Sequence, residues 1–270
     1  MVSHEKYKRR QIMKWTVLII LITMFAMGAN AAMHTETVEY KEGETTLEGY
    51  LVYDDATTDK RPGVLVVPAW RGVDDFSKEQ AARLAEMGYV AFVADIFGKG
   101  VRPKTDEEAG ANVGKYYSNR PMWRQRVVTA FDRLKSEKTV DAGRIVSIGY
   151  CFGGASSLEL ARSGADIVGV VSFHGALSSP TPEDAKNIKA SILALHGADD
   201  PYVKPEEVRG FEKEMTDAKV DWQLVKYSGA VHSFTHPHAG NDNSKGQAYN
   251  EKAAMRSWDA MKAFFAEVLK

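Results

Sequence analysis

Short apolar runs recur along this chain, separated by segments of helical spacing, and that alternation constrains the fold more than any other feature. Val64–Val67, Tyr89–Ala94, Arg144–Tyr150, Ile167–Phe173, Ile192–His196 and Asp221–Tyr227 read as strands. Several are apolar without alternation, as strands of a parallel sheet are when both faces are covered. Between them, Phe76–Met87, Asp106–Tyr117, Pro121–Lys135, Gly154–Arg162 and Pro205–Ala218 have helical spacing, and Glu251–Leu269 adds a last amphipathic helix. Thr35–Tyr40 and Thr45–Tyr53 flank Lys41-Glu42-Gly43-Glu44 and predict a hairpin ahead of the alternation. The expected architecture is α/β, a mostly parallel central sheet with helices on both faces, in one domain over residues 34–270. Ligands of such sheets bind beyond the carboxyl ends of the strands.

Composition excludes several classes of function. Of 270 residues, 44% are hydrophobic and 26% charged, ordinary for a globular chain. Thirty-five basic residues face 36 acidic ones, so nucleic acid is not an expected partner. The first thirty residues differ. Lys6, Lys8, Arg9, Arg10 and Lys14 precede an apolar run from Trp15 to Met27, then Ala29-Asn30-Ala31. That order is a secretory signal over residues 1–31, with Met1 or Met13 as the start, and the run is short of the roughly 20 residues a bilayer core needs. The expectation is an exported protein, periplasmic or secreted, with no stable membrane association after cleavage. The lone cysteine, Cys151, rules out an intramolecular disulfide and a cysteine-based zinc site.

The strand Ile145–Ile148 runs into Gly149-Tyr150-Cys151-Phe152-Gly153-Gly154 and then a helix. This is the Gly-x-nucleophile-x-Gly elbow of the α/β-hydrolase fold, with cysteine in the serine position. A nucleophile on that turn adopts a strained backbone, and strand and helix pass closely only if residues two positions away lack side chains. The helix N-terminus favours a thiolate. The elbow demands an acid and then a histidine after later strands. His196-Gly197-Ala198-Asp199-Asp200 offers two carboxylates; the His-Gly-x-x-Asp spacing favours Asp200, leaving Asp199 as a loop charge. His232 follows the last strand. His174 precedes the acid, His196 ends its own strand, and Pro237 spoils helical ligand geometry for His232, His236 and His238, so no metal is expected.

With these motifs the chain resembles the dienelactone hydrolase family across about residues 34–270, most specifically in Gly149–Gly154, in His196–Val203 and in His232-Ser233-Phe234. The resemblance implies Cys151 as nucleophile, Asp200 as acid and His232 as base. It implies an oxyanion hole of the Phe152 and Trp70 backbone N–H groups, and no cofactor. The implied reaction is cleavage of lactones or small carboxylic esters through an acyl-thioester. The chain departs from family members that take the carboxylated lactone: Ala69 stands where they have a glutamate, and Lys99 and His236 where they have arginines. Lys99, His236 and Arg71 are the candidate substrate-binding residues. A non-hydrolytic binding or carrier protein on the same fold is the alternative.

Overall fold

The computed structural model describes residues 33–270; the expected signal, residues 1–31, lies outside them. Eight strands form a single sheet: β1 (Met33–Glu42), β2 (Thr45–Asp54), β3 (Arg61–Val67), β4 (Val90–Val93), β5 (Val140–Tyr150), β6 (Gly169–Phe173), β7 (Ser191–Gly197) and β8 (Trp222–Tyr227). Their spatial order is β1-β2-β4-β3-β5-β6-β7-β8. The β1–β2 hairpin is antiparallel and β2 pairs antiparallel to β4, while every pairing from β4 to β8 is parallel. The helices are α1 (Asp75–Glu86), α2 (Asp106–Tyr117), α3 (Arg120–Lys135), α4 (Phe152–Arg162), α5 (Pro205–Asp217) and α6 (Glu251–Val268). None of them is long and apolar enough to cross a membrane.

Side chains alternate across the strands, and the helices divide accordingly. Leu65 and Val67 of β3 join the core under α2, α3, α4 and α5, whereas Val64 and Val66 join the core under α1 and α6. Both faces are therefore covered, which is why these strands read as unbroken apolar runs. On the first face the Trp123 and Phe152 rings stack at 4.8 Å.

Two boundaries differ from the sequence expectation. β5 begins at Val140 rather than Arg144, because a register shift at Pro62/Gly63 lets Arg61 pair with Val140 before the main ladder resumes at Ile145. α4 begins at Phe152 rather than Gly154, since the turn at Cys151 delivers the chain directly into helical geometry.

Two polar anchors fix the loops around the strand ends. Asp95, fully buried after β4, accepts hydrogen bonds from the Glu48, Phe97 and Gly98 N–H groups, and the Tyr40 hydroxyl bonds its backbone on both sides. On the opposite flank the buried Glu159 carboxylate of α4 receives Arg120, Arg124 and Arg162 at 3.0, 2.7 and 3.1 Å. Arg162 also grips Glu214 of α5 through two hydrogen bonds of 2.8 and 2.7 Å. Each buried charge in this lattice has partners, as burial requires. The lattice ties α4 to α3 and α5.

Candidate active site

Cys151 sits between β5 and α4 with φ 55° and ψ −116°, one of four non-glycine residues of positive φ among those described. Such strain persists only where the surroundings over-determine it. Here they do. Cys151 N–H donates to the Phe173 carbonyl at 3.0 Å, and the Cys151 carbonyl accepts from Gly154 and Ala155. A Cβ on Gly149 would overlap the Gly153 carbonyl, and one on Gly153 would overlap the Val67 carbonyl. The glycines are thus steric necessities of β5, α4 and β3 passing one another. The Phe152 side chain turns into the core, while its N–H stands at the first position of α4, where no intrahelical acceptor exists.

β7 and β8 deliver the other two expected residues. Asp200 follows β7 and is buried; its Oδ1 accepts the Tyr202 N–H at 2.9 Å and its Oδ2 meets His232 Nδ1 at 2.8 Å. Asp199 points elsewhere and accepts the Gly229 N–H at 3.0 Å, steadying the turn that leads to His232. The His232 backbone is held by Gly246 and Ala248, and Tyr202 lies edge-on to its ring at 5.3 Å. Burial opposes charge on this imidazole, but Cys151 and the Asp200 carboxylate outweigh it and push its pKa up to about 10. Asp200 thus holds His232, which lines the same cavity as Cys151.

The remaining histidines have other surroundings. His174 is buried, its Nε2 meets Thr235 Oγ1 at 2.8 Å, and burial holds it well below the ordinary histidine range. Burial also lowers His196 and His236. His236 stacks on Phe76 at 4.4 Å.

A cavity of about 730 Å³ opens over Cys151 and His232, with Ala69, Trp70, Arg71 and His236 in its wall. Arg71 is present as expected, yet its guanidinium is engaged by the Pro103 and Lys104 carbonyls and by Asp106. Lys99 is not in the wall. Its N–H is fixed to the Thr46 carbonyl, and its ammonium pairs with Glu39 on the outer hairpin strand. The anchored loop after β4 carries this lysine away from the cavity, a correction to its expected place beside a substrate. The cavity also takes in Phe76, Tyr117, His174, Tyr202 and Glu207, which the sequence reading did not assign to it. Tyr202 was within reach, lying two residues after Asp200; the others sit on helices or turns whose cavity-facing side no local pattern marks.

A parallel sheet flanked on both faces, a strained residue between β5 and α4, and an acid and histidine after β7 and β8 define the α/β-hydrolase class. The chain belongs to the dienelactone hydrolase family: the family model matches residues 47–269. Among solved structures it is similar to a dienelactone hydrolase-like promiscuous phosphotriesterase from metagenomic libraries, 40% identical with a TM-score of 0.85, covering 88% of this chain and 100% of that one. A dienelactone hydrolase from Anabaena variabilis, 20% identical with a TM-score of 0.63 and covering 88% and 99% of the two chains, shares the fold. Among curated relatives, a Bradyrhizobium protein named "Probable 2-oxo-3-(5-oxofuran-2-ylidene)propanoate lactonase" is 28% identical over 84% of this chain and 94% of its own. The protein is a dienelactone hydrolase-like lactone or ester hydrolase.

Proposed function

We propose that the protein cleaves lactones or small carboxylic esters through a Cys151-His232-Asp200 triad and an acyl-thioester. The observation that carries this reading is the 2.8 Å contact of His232 Nδ1 with Asp200 beside a half-buried cysteine on a strained elbow. Asp200 fixes the imidazole tautomer and stabilises the imidazolium, so that Nε2 serves the sulfur. The Cys151 thiolate attacks the carbonyl carbon, and the Phe152 and Trp70 N–H groups receive the developing oxyanion. Each such donor lowers the barrier by on the order of 3 kcal/mol. As the tetrahedral species collapses, His232 gives its proton to the departing alkoxide oxygen. It then takes a proton from water, whose attack on the thioester releases the acid and returns the thiolate.

The test is hydrolysis of p-nitrophenyl acetate, with acid-quenched enzyme examined by mass spectrometry for an acetyl group on Cys151. Turnover with no acyl adduct at any substrate concentration, together with full activity of Cys151→Ala, would remove the triad from the reaction. The 40% identical solved structure is named a promiscuous phosphotriesterase, so a neutral phosphotriester belongs in the same assay.

The same reading extends to export by residues 1–31, supported by their basic, apolar and small-residue order. Sequencing the N-terminus of protein recovered from outside the cytoplasm should give Ala32 as the first residue. A chain retained in the cytoplasm with its N-terminus intact would contradict it.

A further inference from the structure

One arginine and three carboxylate side chains line the cavity: Arg71, Asp74, Asp106 and Glu207. Three of them are occupied. Arg71 and Asp106 neutralise each other, and Asp74 caps α1 by accepting the Ser77 N–H at 2.9 Å. Glu207, half-buried in the first turn of α5, has neither an ion-pair partner within 4.0 Å nor a side-chain hydrogen bond among the described residues. Glu207 therefore stands on the wall of an open cavity with its carboxylate available to a ligand.

Apart from Arg71, no lysine or arginine among the described residues lines the cavity, and His238 is exposed with its ring 5.8 Å from that of His236. Lys99 is turned away onto Glu39, and burial keeps His174 and His236 neutral. Asp200 adds a further negative charge behind His232, whether the proton sits on sulfur or on imidazole. The uncharged part of the wall includes the rings of Trp70, Tyr117, Tyr202 and Phe76. Arg71 and Arg120 lie over the Trp70 and Tyr117 rings at 5.6 and 5.3 Å, and a wall of aromatic rings that also carries a carboxylate suits a cation such as an alkylammonium group. Tyr117 lines the same cavity as Cys151 and Glu207.

We infer that Glu207 makes this site select esters and lactones bearing a positively charged alkylammonium group, and reject carboxylated ones. The inference rests on the ester-hydrolase reading above and deepens it. The charge order is the reverse of that expected of a site built to hold a substrate carboxylate.

The experiment uses isosteric sets measured by pH-stat on the full chain without residues 1–31. With charge on the acyl side, methyl 4-(trimethylammonio)butanoate is compared with methyl 5,5-dimethylhexanoate and monomethyl glutarate. With charge on the alcohol side, acetylcholine is compared with 3,3-dimethylbutyl acetate and 3-acetoxypropanoate. In at least one set the cationic ester should exceed its neutral isostere at least tenfold in kcat/KM, and the anionic ester should fall at least tenfold below it. Glu207→Gln should bring the cation-to-neutral ratio of that set to within threefold of unity. Glu207→Asp should keep the preference in part, which a merely structural role for the side chain would not predict. Equal kcat/KM across charge in both sets, or a cationic preference that survives Glu207→Gln, overturns the inference while leaving the hydrolase intact. Failure of the folded protein to turn over any of the six esters overturns the hydrolase reading, and the inference with it.

Discussion

Cys151 is placed by backbone contacts to Phe173 and α4, so Cys151→Ala should abolish ester turnover and still fold cooperatively. His232→Ala should be equally inactive. Asp200→Asn should cost on the order of 10⁴ in kcat through the wrong imidazole tautomer, whereas Asp199→Asn, which only loosens the Gly229 turn, should cost less than tenfold. Reversal of those two results in steady-state kinetics would reassign the acid. His232 titrates at about 10 in the folded chain against roughly 6.5 when unfolded. Its protonation therefore stabilises the fold fully below about pH 6.5, and that contribution is lost as pH rises through about 10. Melting temperature should fall across this window more steeply in the wild type than in Cys151→Ala, where the thiolate that raises the imidazole is gone. The same ion pair should make Cys151 react readily with iodoacetamide near neutral pH, and His232→Ala should slow that alkylation. The members of the proposed triad could be picked out of the sequence because each has a short local signature tied to a strand end. The place of Lys99 could not, because it depends on Asp95 and Tyr40 anchoring a loop to a strand 55 residues earlier.

Among the elements, α4 carries the elbow and must not shift against β5. The glycines allow the approach and the Glu159 lattice maintains it from the far end of the helix. Glu159→Ala would leave three arginines facing one another around a buried void, at a cost of about 3–5 kcal/mol, measurable by urea unfolding. Gly153→Ala should lose about 1–3 kcal/mol through overpacking against the Val67 carbonyl, and activity should fall with it as the elbow moves. Element types followed directly from period: buried parallel strands have none, and helices such as α1 and α6 show apolar stripes. Element ends followed less well. β5 extends back to Val140 through a pairing with Arg61, a long-range event to which the polar stretch Asp141–Arg144 gives no local clue.

At the scale of the whole described unit, the two hydrophobic cores share strands β2 to β8 between them, one on each face of the same sheet. Neither can unfold and leave the other its backing. A chain beginning at Met33 should therefore lose tryptophan fluorescence and far-ultraviolet circular dichroism at one coincident urea midpoint. Separated midpoints would show that the α1–α6 face melts on its own. Helices on both faces were foreseeable from the unbroken apolar runs. Which helix covers which face follows from the strand order, and a linear sequence does not display the jump from β2 across to β4 and back to β3.

The solitary thiol lining the cavity makes the molecule self-counting. Since no other thiol exists in the chain, any mass increment or absorbance change from a thiol-specific tag reports the number of competent centres, with zero background from elsewhere. An oxidant that converts this atom to a sulfenic acid meets no second cysteine to resolve it within the molecule. Recovery then requires a small thiol or a reductase from outside, and the dead time of the enzyme under peroxide becomes a readout of the thiol supply around it.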